Sequence, residues 1–114
     1  MFRLTIKAFD RVPAFLNEPV EKVDKLRADI VTYNNRVRSL LAQFKAAYDD
    51  VEGQIFETAP TFQKAYANPQ AYGAPDATCV NGDGVSCLWY DTYHPGIAIQ
   101  KSLAEEIVKF TGFF

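Results

Sequence analysis

Between Val20 and Tyr48, the apolar side chains Val20, Val23, Leu26, Ile30, Tyr33, Val37, Leu40, Leu41, Phe44, Ala47 and Tyr48 recur every three or four positions. Lys22, Lys25, Arg36, Arg38 and Lys45 fall mostly off that stripe, so the segment specifies one long amphipathic helix. Pro19 fits its first turn with Asn17 or Glu18 as the cap, and Gly53 closes the pattern. The apolar positions spread wider than a strict heptad, which makes the stripe a core face and not a coiled-coil seam. Each fully buried side chain of this kind contributes on the order of 2 kcal/mol. The stripe therefore demands a large surface to cover.

The flanking segments set what that surface is expected to be. Phe2, Leu4 and Ile6 alternate with Arg3, Thr5 and Lys7, the period of a strand with one buried face, and Gln54–Thr58 reads as a second short strand. Strand, long helix and strand form a βαβ crossover, which implies a parallel pair and a right-handed connection. Pro60 to Asn68 predicts a short helix, and Pro69 to Ser86 a long loop punctuated by Gly73, Pro75, Gly82 and Gly84. Ile99, Leu103, Ile107 and Phe110 predict a terminal helix that stops at Gly112. The expected class is α/β, with residues 1–114 a single partial domain. Two strands are too few for a self-sufficient sheet with helices on both faces. Either a partner chain or sequence preceding Met1 is expected to cover the apolar face.

Composition removes several function classes. With 48% hydrophobic residues and 14% aromatic ones, the chain is an ordinary globular segment. Its net charge of -2 and the absence of a lysine or arginine run argue against nucleic acid and against an anionic membrane surface. Charges interrupt Met1–Phe9 every few residues, so this stretch is read as neither a signal peptide nor a spanning helix. Cys79 and Cys87 lie eight apart in a stretch rich in Gly, Asn and Asp; they close a small disulfide loop or stand as two unpaired thiols. A bridge would imply an oxidising compartment. One histidine and two cysteines without a Cys-x-x-Cys pair make a poor zinc set, and Asn81-Gly82-Asp83-Gly84 offers too few oxygens for calcium and reads as a turn. No cofactor is expected.

The chemistry concentrates in Leu88-Trp89-Tyr90-Asp91-Thr92-Tyr93-His94-Pro95, where a carboxylate and the sole histidine stand three positions apart. A carboxylate that orients an imidazole, leaving its other nitrogen free to take a proton from a hydroxyl, is two thirds of a nucleophilic triad. The bland alternatives are a packed or surface histidine and an aspartate that caps a turn. Trp89, Tyr90 and Tyr93 either flank an acyl or sugar site or simply pack. The third triad member is missing: Ser39 and Ser102 fall in helical patterns, Ser86 lies in a loop, and no Gly-x-Ser-x-Gly or Gly-Asp-Ser occurs.

Asn68-Pro69-Gln70-Ala71-Tyr72-Gly73, then Cys79 and Cys87, then Asp91-x-x-His94-Pro95 among aromatic residues and a closing amphipathic helix, resemble the C-terminal part of GDSL-type (SGNH) esterases and lipases. The segment from Asp10 to Phe15 and the long helix are similar to secreted fungal members that act on plant cell-wall carbohydrate. The resemblance implies a partial three-layer SGNH-hydrolase fold containing the βαβ unit. It implies that Asp91 orients His94, and that His94 acts as general base toward serine and as general acid toward the leaving alcohol. The family's serine and its glycine and asparagine oxyanion donors have no counterpart here. Losing one such donor costs about a hundredfold to a thousandfold in turnover, and losing the nucleophile removes the acyl-enzyme route. Gly96 stands where relatives often place a Ser or Thr that caps the last helix, a departure expected to be tolerated.

Three readings follow. The chain is a segment of an ester hydrolase acting on an ester substrate such as an acetylated carbohydrate, extracellular in the full-length family member. Alternatively it is a non-catalytic interaction module, or the half of an esterase whose partner brings the serine.

Overall fold

The computed structural model describes residues 10–112. Three α-helices dominate: α1 (Val20–Ala47), α2 (Ala59–Ala67) and α3 (Ile97–Thr111), with single 3₁₀ turns at Pro13–Phe15 and Pro69–Tyr72. No strand forms among the described residues; the only β-type pairings there are two isolated bridges, Val80 with Trp89 and Trp89 with Pro95. The α/β class expected from the sequence, with its βαβ unit and partial three-layer sheet fold, is thereby corrected to a helical one. The first expected strand, Phe2–Ile6, lies outside the described residues.

The second, Gln54–Thr58, has no ladder partner among the described residues, and its side chains meet two helices. Arg38 on α1 donates to the Glu57 carboxylate at 2.5 Å, and Phe56 meets Phe110 of α3 edge-on at 5.4 Å. The segment is an extended strap between two helices. A short apolar-centred segment records only that its side chains pack, and here they pack on helices.

The long helix forms where its periodicity places it, with two corrections. Pro19 itself is the N-cap residue and no side chain caps the helix, Glu18 instead pairing with Lys22 at 3.1 Å. More consequentially, α1 buries no residue. The stripe that the sequence marks as core stands largely open, with Val20 71% and Tyr33 69% exposed. A compact chain of 100 residues has a radius of gyration of about 13 Å, whereas this one measures 16.1 Å.

The core lies in the second half. Ala65, Ala74, Leu88, Trp89 and Ile99 are buried together, with Val12, Phe62, Tyr66, Tyr72, Ala77 and Leu103 packed around them. Phe62, Ala65 and Tyr66 fall on one face of α2 at i, i+3 and i+4, and Ile99 and Leu103 on one face of α3, so the two helices meet along these rows. Pro60 opens α2 where its missing N–H costs nothing. The Asn68–Pro69 step ends it, since the residue before a proline is driven out of the α region. Helix α3 ends at Gly112, whose φ of 67° suits glycine and whose N–H closes on the Val108 carbonyl at 3.1 Å. Burial among these aromatic rings raises the Tyr66 phenol well above its ordinary pKa.

Candidate active site

The loop that carries Asp91 and His94 rises from this core between Trp89 and α3. Its base is closed by the Trp89–Pro95 bridge, by Tyr90 N–H donating to the His94 carbonyl at 2.8 Å, and by Gly96 N–H donating to the Leu88 carbonyl at 2.6 Å. Trp89 anchors the entry side: it is 2% exposed, stacks on Phe62 at 6.0 Å and donates its indole N–H to the Ala77 carbonyl at 3.0 Å. From outside, the Pro13–Phe15 turn braces the loop. Ala14 N–H donates to the Thr92 carbonyl at 3.0 Å, and Phe15 meets Tyr93 edge-on at 5.7 Å.

Within the loop, Asp91 performs both tasks that its position suggests. Its Oδ1 accepts the backbone N–H groups of Tyr93 at 2.8 Å and His94 at 2.7 Å, a local turn cap. Both carboxylate oxygens also lie 2.9 Å from His94 Nδ1. A carboxylate can only accept here, so in the neutral imidazole Nδ1 carries the proton and Nε2 is left with its lone pair. No hydrogen bond to Nε2 forms among the described residues, and the His94 side chain is 71% exposed.

Accepting from the Tyr93 N–H first, then from the His94 ring and backbone, holds the Asp91 carboxyl below the usual carboxylate range. A depressed folded-state pKa stabilises above the unfolded value of about 3.9 and ceases to do so as pH falls through the folded one. The difference in urea midpoint between wild type and Asp91→Asn is therefore present at pH 6 and shrinks toward zero below about pH 4. A constant difference across that range would mean that the carboxylate charge does not hold the turn.

The serines do not complete a triad within the described residues. Ser39 is exposed on α1, Ser102 sits on α3, and the Ser86 hydroxyl donates to the Asp83 carboxylate. Asp83 also accepts from Val85 N–H at 2.8 Å and Ser86 N–H at 2.9 Å, and these bonds, that of Ser86 first, lower its pKa. The Asn81–Gly84 stretch is a self-capped turn. Cys79 and Cys87 are joined as a disulfide. Of the aromatic residues, Trp89 packs in the core, whereas Tyr90 and Tyr93 are 50% and 61% exposed beside the histidine.

Gly96 holds the cap position of α3 that the sequence assigns to it, but the sequence does not disclose how crowded it is. A Cβ there would meet the carbonyl oxygens of Gly84 at 2.9 Å, Cys87 at 3.1 Å and Leu88 at 3.2 Å, all backbone atoms that cannot swing aside. Gly96 is thus both the N-cap residue of α3, without a side-chain cap, and a close-approach glycine at the foot of the site. Gly96→Ala is expected to destabilise by about 1–3 kcal/mol through overpacking, read as a lowered denaturation midpoint; an unchanged midpoint would show that the three carbonyls can yield. Phe15 was also not foreseen, because a lone aromatic in a Pro-rich turn carries no periodic signal.

The chain is 39% identical over 107 residues to an acetylesterase of Thermothelomyces thermophilus, a match spanning 91% of this chain and 35% of that protein. It is 24% identical over 102 residues to a GDSL esterase/lipase of Arabidopsis thaliana, spanning 73% of this chain and 28% of that protein. No protein-family model matches, nor does any solved structure. The chain thus spans about a third of the length of the curated relatives it matches. Sharing that similarity with both, over nearly its whole length with the first, the chain belongs to the family of GDSL-type ester hydrolases that includes the acetylesterases.

Proposed function

We propose that this chain supplies the acid–base half of an ester-hydrolase site, Asp91 and His94, and works with polypeptide outside this sequence that brings the nucleophilic serine and the oxyanion donors. The observation that carries this reading is the pair of 2.9 Å contacts from the Asp91 carboxylate to His94 Nδ1, with the rest of the ring open. In that arrangement His94 Nε2 takes the serine proton as the serine oxygen attacks the ester carbonyl carbon. Collapse of the tetrahedral intermediate breaks the bond to the alcohol oxygen, to which His94 returns the proton. Water then repeats the sequence on the acyl-enzyme.

Acetyl esters are the proposed substrate, in keeping with the name of the Thermothelomyces relative; acetylated carbohydrate is the form that the sequence resemblance implies. The exposed stripe on α1 is where the remaining polypeptide would pack, since so much apolar surface is costly in water. An extracellular setting is part of the same proposal, supported by the disulfide.

The test labels two proteins with a fluorescent phosphonate that traps activated serines. One is this chain alone; the other is the Thermothelomyces acetylesterase with its matched segment exchanged for this chain. The expected result is no adduct on the first and a His94-dependent adduct on the second. A His94-dependent adduct on the isolated chain would reveal a nucleophile among Ser39, Ser86 and Ser102 and would overturn the half-site reading.

A further inference from the structure

The loop bearing Asp91 and His94 has two feet, and both stand on the ring closed by Cys79 and Cys87. On the entry side, Val80 bridges to Trp89, and Asn81 N–H donates to the Trp89 carbonyl at 2.9 Å. On the exit side, the Gly84 carbonyl accepts the Ile97 N–H at 2.9 Å, and Gly96 sits against the carbonyls of Gly84 and Cys87. Gly84 adopts a φ of 74°, a left-handed conformation natural to glycine, and lies under the Ile97 and Tyr90 side chains. Inside the ring, the carboxylate of Asp83 and the side chain of Asn81 cap successive backbone N–H groups, which leaves the turn few alternative shapes.

By contrast, the core contacts of Trp89 run elsewhere, to Phe62 and to the Ala77 carbonyl, which precedes the ring. The disulfide and the core therefore hold different parts of the molecule. We propose that Cys79, Cys87, Gly84 and Gly96 are positioning residues: the disulfide ring fixes both ends of the Asp91–His94 loop and so holds the imidazole on its carboxylate, while the helical core stands without it.

The proposal rests on Asp91 and His94 being the acid–base pair, yet it is tested on the pairing itself and needs no ester hydrolysis. His94 is the sole histidine and Trp89 the sole tryptophan, so each reports without ambiguity. In the nitrogen-15-labelled chain at about pH 8, the oxidised protein is expected to show the ring-nitrogen shifts of a single Nδ1–H tautomer, read through the non-exchanging carbon-bound ring protons, and the emission of a buried indole. In the double variant Cys79→Ser, Cys87→Ser the indole emission stays and the ring nitrogens move to the tautomer mixture of free imidazole. Gly84→Ala, which keeps the disulfide but strains the ring where it meets Ile97, moves them part of the way. Persistence of the Nδ1–H tautomer shifts in the double variant overturns the proposal. So does simultaneous loss of the buried indole, because the ring would then serve the whole core. The tautomer mixture of free imidazole in the oxidised wild type would instead sink the Asp91–His94 pairing, and with it the functional reading.

Discussion

Trp89→Ala is expected to cost about 3–5 kcal/mol, in the range for deleting a buried aromatic side chain. Domains of this size are stable by only about 5–15 kcal/mol, so the variant should unfold at a small fraction of the wild-type urea concentration. Three losses combine at this position. The indole leaves a void among Phe62, Leu88 and Ile99, its N–H no longer satisfies the Ala77 carbonyl, and the backbone bridges to Val80 and Pro95 lose the side chain that registers them. Trp89→Phe retains a stacked ring and forfeits chiefly the hydrogen bond, for about 1–3 kcal/mol. Circular dichroism follows both, since the fluorescent residue is gone. A cost under about 1 kcal/mol for the alanine variant would place the core elsewhere.

Asp91→Asn is expected to lower turnover about 10⁴-fold in the joined protein described above, by analogy with triads in which the residue behind histidine loses its charge. The amide of asparagine can donate to Nδ1, which puts the proton on Nε2 and removes the lone pair that must accept from serine. The negative charge that stabilises the imidazolium is lost with it. KM should move little, because Asp91 spends its hydrogen bonds on the loop and on His94. A large rise in KM with turnover unchanged would assign Asp91 to substrate binding and contradict the orienting role.

What was legible in the sequence is what local physics decides. The helix over Val20–Ala47 follows from its periodicity, the stop at Gly112 from the left-handed conformation that glycine supplies, and the start of α2 from a proline in its first turn. The Asp91–His94 contact was also legible, because a three-residue spacing inside a tight turn brings the two side chains together whatever surrounds them. Non-local features were not. Gln54–Thr58 reads as a short strand, but a ladder requires a neighbouring strand, and among the described residues its side chains meet Arg38 on α1 and Phe110 on α3. The α1 stripe reads as core because apolar periodicity records what a face is suited to cover. It does not say whether the covering surface belongs to the same chain. The close approach at Gly96 was not legible for a related reason: its three crowding carbonyls come from Gly84, Cys87 and Leu88, and only the folded loop assembles them.

The most decisive measurement is ester hydrolysis by the joined protein with and without His94→Ala, using an acetylated sugar and a small activated acetate ester. With His94 present, both substrates should be hydrolysed. With alanine, turnover on both should fall by at least about a thousandfold, the scale of losing a general base from a triad, while indole emission and thermal unfolding stay as in the parent. Undiminished hydrolysis by the alanine variant would contradict the assignment of His94 as the base, and would leave the Asp91–His94 contact a turn-forming interaction on the surface of the chain.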